Sequence, residues 1–385
     1  VRRRLQYYAL LSGISGNIGN SFLPYEVAVT GTAATSVAYA QGVNGLGSGL
    51  VQVIASGAMD RSLWKAGWLL GSTLALGVLW MLVPVLRSSA ALLALYTVIV
   101  LLAGLQTLSL QMVVGQESRP WAMGRDLSLI ALLSGLGGLV AFSAAALITG
   151  RSRSVYLLYE LAGALYLAAG ACVFGLKEEG QVTRLYWQGD RWTAFAMKRF
   201  LEASAIFGFF WGFAWPLFTL TQARVIGMGY AEYSIAQLIA LLSTMAFQPL
   251  AGIIVDRGVK KGLFLSRLGL AAFPLGFAFS TKAWHIYAIN AATGLVSALV
   301  NISAGAYIYA ASEHHSWARY LSRYNLINGV SSMAGSLSGG AVVDLLLQRL
   351  DLRTSLLLTY QIALLGRILA SLLFLKLDEP RPRIP

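Results

Sequence analysis

The sequence predicts an all-α integral membrane protein of twelve transmembrane helices, laid out as two parallel six-helix repeats. Three observations lead there. The composition is 57% hydrophobic and 12% charged, with a mean hydropathy of +0.66, outside the range of an ordinary globular domain. Twelve apolar stretches, each near the roughly 20 residues that cross a bilayer core, follow one another with little chain between them. Charged turns also recur at a fixed displacement. "GAMDRSLWKAG" (57–67) returns as "GIIVDRGVKKG" (252–262), so that Asp60, Arg61 and Lys65 stand 196 residues before Asp256, Arg257 and Lys261.

The spans fall near 5–29, 34–59, 65–86, 89–115, 126–149, 154–176, 198–225, 232–255, 261–280, 284–311, 323–346 and 354–376. Arg2 to Arg4 before the first span imitate a signal peptide, but the apolar run is too long and no small-residue cleavage site follows, so it reads as a retained helix. Between the sixth and seventh spans lies the longest polar stretch, "KEEGQVTRLYWQGDRWTAFAMKR" (177–199). Its Tyr186, Trp187 and Trp192 suit a headgroup layer. The expected organisation is a six-helix bundle over 1–176, a cytoplasmic linker over 177–197 and a second bundle over 198–385. Six is even, so both halves enter from the same side, as a parallel repeat about the membrane normal.

The formal net charge of +13 does not indicate nucleic acid, because its distribution is one-sided. Segments on the N-terminal side hold 21 of the lysines and arginines and those on the opposite side hold seven. By the positive-inside rule both termini are cytoplasmic and the chain sits in the cell membrane. The one cysteine, Cys172, excludes an intramolecular disulfide or a cysteine metal cluster. No GxxxxGK[ST] motif is present, and no constellation of histidine or aspartate suggests an enzyme on lipid. No cofactor and no metal are expected, and the chain is expected to be a monomer.

The offset of 196 extends further: Gln52 falls on Gln248, Ala55 on Ala251, Glu117 on Glu313, Trp121 on Trp317 and Ala122 on Ala318. On these residues the chain resembles the major facilitator superfamily, along essentially its whole length. That family's loop after the second helix carries Gly, then Asp-Arg four residues on, then a Gly and two basic residues. Gly252, Asp256, Arg257, Lys260 and Lys261 match it, with Val259 at the later Gly. In the first half Asp60, Arg61 and Lys65 match, while Ser56, Leu63 and Trp64 depart. Glu117 with Arg125, and Glu313 with Arg323, resemble the charges that members carry after helices four and ten. The resemblance implies a secondary transporter working by alternating access, with these ten charges forming a breakable cytoplasmic gate.

Substrate in this family sits between the halves near the midplane, lined by helices one, four, seven and ten. The seventh span offers Phe207, Trp211, Trp215, Phe218 and Gln222 at steps of three or four. Such a stripe packs helices or walls a cavity. Trp211, Trp215 and Gln222, with Gln111 of the fourth span and Asn301 of the tenth, are the candidate cavity residues. The offset places Glu26 on Gln222. A carboxylate within a span is costly and marks function by default, and burial favours its neutral form, so Glu26 is the candidate for proton coupling. Arg367 lies mid-span in the twelfth helix, where it needs a partner, with Glu202 in reach for an ion pair. The expected partners are a small organic solute, the lipid bilayer and protons. A facilitator or sugar-type permease without coupling, and a non-transporting sensor or assembly subunit, are the alternatives.

Overall fold

The computed structural model describes residues 3–61, 64–86, 88–117, 123–152, 155–174, 191–312 and 317–379, and they form helices with no strand among them. In order these are α1 (Arg3–Val29), α2 (Ala34–Arg61), α3 (Lys65–Leu82), α4 (Ser89–Glu117), α5 (Met123–Ser152) and α6 (Tyr156–Val173), then α7 (Arg191–Phe213), α8 (Trp215–Leu220), α9 (Tyr230–Asp256), α10 (Val259–Gly269), α11 (Ala272–Ala278), α12 (Ala283–Ala292), α13 (Gly294–Ala311), α14 (Trp317–Leu346) and α15 (Leu352–Leu372).

Nine spans among the described residues are long and apolar enough to cross a membrane. The other three of the expected twelve are present as helices with more polar or broken sequence. α1 carries Asn17, Asn20 and Glu26, and α2 carries Gln41, Asn44 and Gln52. The ninth span is broken into α10 and α11. The break has a chemical cause: Pro274, two residues into α11, has no N–H to offer Leu270, four residues earlier. The seventh span is interrupted likewise. α7 ends at Phe213, α8 begins with Trp215 and Pro216, and a π-helical turn covers Thr221–Val225.

By contacts the chain divides into two units, each holding pieces of both sequence halves. Unit 1 comprises Val1–Val27, Gly47–Thr183 and Gly229–Leu238. Unit 2 comprises Ala28–Leu46, Arg184–Met228 and Ile239–Pro385. The outer exchange concerns only the helix ends remote from the N-terminus, called here the far side: the start of α2 packs with second-half helices, and the start of α9 with first-half helices.

In unit 1, α3 and α6 cross at glycines: a Cβ on Gly163 would come within 2.7 Å of the Gly77 carbonyl oxygen. Small residues at such crossings let backbones approach where lipid supplies no hydrophobic drive between helices. Leu5, Tyr8, Leu69, Val114 and Val173 build the adjoining core. A polar relay crosses it, with Gln106 Nε2 donating to Tyr8 Oη at 2.6 Å and Tyr8 Oη bonded to Thr73 Oγ1 at 2.9 Å. In unit 2 the same device joins α7 to α14 through Gly208, Gly212, Gly335 and Gly339. A Cβ on Gly212 would stand 2.1 Å from the Ser332 carbonyl oxygen.

Arg367 does not pair with Glu202. It is 1% exposed and donates from Nη1 to Leu270 O at 2.7 Å, from Nη2 to Trp211 O at 2.8 Å and from Nε to Phe210 O at 3.2 Å. Leu270 O is the carbonyl that Pro274 leaves open, and the other two belong to the last turn of α7, whose carbonyls lack intrahelical partners. The arginine thus mends two helix breaks at once. Glu202 sits one turn from Lys198 on exposed helix surface, 3.8 Å away. The expected ion pair is wrong because the carbonyl freed by Pro274 and two at the end of α7 are nearer acceptors than a carboxylate at the rim.

Candidate functional site

Glu26 lies in the last turn of α1 and is buried. Its Oε2 accepts the hydroxyl of Tyr230, the first residue of α9. Aromatic rings enclose this link. Tyr25 stacks on Tyr233 with centroids 4.1 Å apart and meets Tyr230 edge-on at 5.8 Å, while Phe22 meets Tyr233 edge-on at 5.6 Å. Tyr233 Oη donates to Ser21 O at 3.1 Å. Deeper in the same unit, Trp80 stacks on Tyr159 at 5.8 Å. The hydroxyls of Tyr96 and Tyr159 and the Oδ1 of Asn20 are buried there without a protein partner. All of these residues lie in unit 1, so its far side holds a carboxylate among tyrosines, with three buried polar atoms that have no partner among the described residues. Sequence reasoning singled out Glu26 as a candidate and did not single out the tyrosines around it.

Unit 2 has its own far-side junction, built from charge on helix ends. Asp344, in the last turn of α14, accepts the Ala34 N–H at 2.8 Å on one carboxylate oxygen and the Thr35 N–H at 2.9 Å on the other. These are the first amides of α2, which have no intrahelical acceptor and carry the positive end of the helix dipole. Arg224, in the π-helical turn, donates from Nε to Ala28 O at 2.8 Å and from Nη2 to Thr32 O. It therefore caps the negative end of α1. Gln41 Nε2 donates to Thr219 Oγ1 at 2.7 Å, and Ser336 Oγ to Ala38 O at 2.7 Å. A single sequence signal pointed here, unread: Arg224 and Ala28 are themselves 196 residues apart.

The remaining candidates are placed as follows. Asp60, Arg61, Glu117 and Arg125 belong to helices, but their side chains lie outside the described residues, as does Glu313 altogether. Lys65 opens α3 half-buried, and Asp256, Arg257, Lys261 and Arg323 are exposed. Among the described residues no ion pair joins these charges. Beside them, the Glu379 carboxylate accepts the Lys260 N–H at 3.3 Å and so caps α10. Trp211 and Trp215 are half-buried and meet edge-on at 5.0 Å. Trp211 packs on the core of unit 2, and Trp215 reaches toward Gly45 of α2. Gln222 is buried, whereas Gln111 and Asn301 are exposed.

Residues 200–385 match the family model described as Major Facilitator Superfamily. The second half of the chain thus carries that superfamily's sequence pattern. No curated protein matches its sequence. Among solved structures, this chain is similar to a variant of the nucleoside transporter NupG at 13% identity, covering 97% of this chain and 99% of that one with a TM-score of 0.78. It is similar to an auto-inhibited POT family peptide transporter at 11% identity, covering 100% and 99% with a TM-score of 0.78. A POT family transporter in complex with 5-aminolevulinic acid gives 13% identity, coverage of 98% and 96%, and a TM-score of 0.76. At these identities the likeness is one of fold.

Proposed function

We propose that the chain is a secondary transporter that carries a small organic solute across the cell membrane by alternating access, driven by protons through Glu26. The observation that carries this reading is the bond from Tyr230 to Glu26: the one carboxylate of the first span fastens a first-half helix to a second-half helix at its far end. Ionised Glu26 accepts the tyrosine O–H as a charge-assisted bond, and such bonds are the stronger kind. Protonation removes the charge and loosens the bond. Proton binding and helix separation are then the same event, which is what coupling requires. The solute passes between the repeats at 1–176 and 198–385, joined by the linker at 177–197, with both termini cytoplasmic. Trp211, Trp215, Gln222, Gln111 and Asn301 face it, and Asp60, Arg61, Lys65, Glu117, Arg125, Asp256, Arg257, Lys261, Glu313 and Arg323 close the cytoplasmic end. Fold neighbours that carry nucleosides and peptides support a polar organic cargo.

Flux in proteoliposomes under an imposed pH gradient tests it, with a nucleoside and a dipeptide as first cargoes. Gradient-driven accumulation by the wild type, lost in Glu26→Gln while solute exchange persists, is the expected result. Accumulation unchanged in Glu26→Gln would leave transport without this coupling, and no flux of any cargo would favour a non-transporting sensor.

A further inference from the structure

Unit 2 buries two guanidinium groups, and only one of them is provided for. Arg367 has three carbonyl acceptors. Arg267, on α10, is 4% exposed, yet its one hydrogen bond runs from Nη2 to Tyr324 Oη at 3.1 Å, and its Nε has no partner. The rings of Phe207 and Phe374 lie 5.2 and 5.6 Å from its central carbon. Ring faces attract a cation but leave its N–H edge largely unused. No carboxylate among the described residues lies within ion-pair distance. A buried cation without an anion is unfavourable, and arginine does not escape by losing its proton. Among the described residues nothing neutralises this positive charge.

We propose that Arg267 and Tyr324 form an anion subsite for the transported solute, and that this solute carries a carboxylate; the inference rests on the transporter reading above. Two features select the class. Nε and the second proton of Nη2 make a planar side-on edge, which fits the two oxygens of a carboxylate. Tyr324 Oη accepts from the guanidinium, so its own O–H remains to be donated. Tyr324 is only half-buried, and its hydroxyl is the point at which an entering anion first meets the buried charge. One edge and one hydroxyl give three donors, enough for a carboxylate and few for a phosphate.

The test uses the full chain purified in detergent, and the probes are acetate and benzoate, their neutral counterparts acetamide and benzamide, and inorganic phosphate. Thermal midpoint and tryptophan emission are read together, since Trp211 packs on the same core. The carboxylates are expected to raise the midpoint saturably and the amides to leave it unchanged. Arg267→Lys keeps the charge but loses the edge, and is expected to weaken benzoate about tenfold. Tyr324→Phe keeps the ring that stacks on Phe200 at 5.5 Å and removes only the hydroxyl, so it reports even if Arg267→Lys does not fold; it too is expected to cost about tenfold. Equal responses to benzoate and benzamide, no response to either, or benzoate affinity unchanged in Tyr324→Phe would make Arg267 a purely structural cation. A stronger response to phosphate than to benzoate would overturn the carboxylate assignment. Binding is measured without flux, so loss of the subsite with flux intact leaves transport standing, and binding without flux removes transport alone.

Discussion

The far-side junctions of the two units occupy equivalent places in the sequence repeat and use different chemistry. Glu26 of unit 1 corresponds to Gln222, Tyr230 to Ala34, Ala28 to Arg224, and Ile148 to Asp344, each at 196 residues. In unit 1 a side-chain carboxylate accepts from a side-chain hydroxyl. In unit 2 the tyrosine's counterpart is an alanine that offers its backbone N–H, and a fixed carboxylate and a fixed guanidinium clamp the two helix ends around residues 28–35. Backbone amides and arginine do not titrate near neutral pH, and Gln222, which stands where unit 1 has Glu26, carries no ionisable group. On the coupling proposed for Glu26, the first junction is the one that responds to protons, and the second serves as a fastener.

The largest expected effect comes from removing that responsiveness. Glu26→Gln leaves a neutral amide opposite Tyr230 at every pH, so spin labels at Tyr156 and Ile235, both exposed in unit 1, should report one distance distribution from pH 5.5 to 8. The wild type should lengthen as pH falls, because protonation weakens the Tyr230 bond. A pH-dependent distribution persisting in Glu26→Gln would move the sensor elsewhere in the unit.

Next in size are Asp344→Asn and Arg224→Ala. Losing a charged cap on a helix end costs about 1 kcal/mol, which should lower the thermal midpoint by a few degrees. Labels at Val29 and Leu345, both exposed in unit 2, should separate in either variant, and by the same amount at pH 5.5 and 8. Separation that grows with acidity would erase the distinction between the junctions.

Tyr230→Phe is a milder cut at unit 1. It keeps the edge-on contact with Tyr25 and removes one donor to a carboxylate that water can then reach, a net loss of about 1 kcal/mol or less. Glu26 can be rehydrated once loosened, so the expected outcome is a shorter pH-dependent change with coupling retained. Abolished coupling would make the tyrosine, and not the carboxylate, the essential proton-handling group.

The sequence carried the architecture because apolar length, charge sidedness and the repeat are one-dimensional signals. It located Glu26 for the same reason: a carboxylate in an apolar run is conspicuous wherever it points. Helix breaks were harder. Pro274 was in plain view, yet the arginine that satisfies Leu270 O and two carbonyls at the end of α7 comes from the twelfth helix, and only the packing of α15 on α7 and α10 makes the arrangement visible. Asp344 and Arg224 escaped for a related reason. They sit at predicted helix ends, where charges are ordinary, and their partners are backbone groups that leave no mark in the residue types. Trp211 and Trp215 illustrate the converse, since the stripe was legible while its two rings serve different neighbours, the core of unit 2 and the glycine face of α2.

The smallest expected effect belongs to Thr219→Val. Thr219 accepts the Gln41 amide at 2.7 Å, one of several bonds that fasten α2 within unit 2, and valine keeps the shape while removing the acceptor. The lost bond is neutral and partly buried, so it should cost about 1 kcal/mol at most. Because Asp344 and Ser336 still hold α2, that loss is shared, and the Val29–Leu345 distance should stay at its wild-type value at both pH 5.5 and 8 while the thermal midpoint falls slightly. In unit 1 the Tyr233 bond to Ser21 O and the stacked rings also join α1 to α9, but among the described residues the Glu26 bond is the one with a carboxylate, which is why substitution there is expected to act on the response to pH. If Thr219→Val opened unit 2 as far as Asp344→Asn does, the second junction would also hang on single bonds, and the contrast between a fastener and a sensor would have to be replaced by two equally fragile ends.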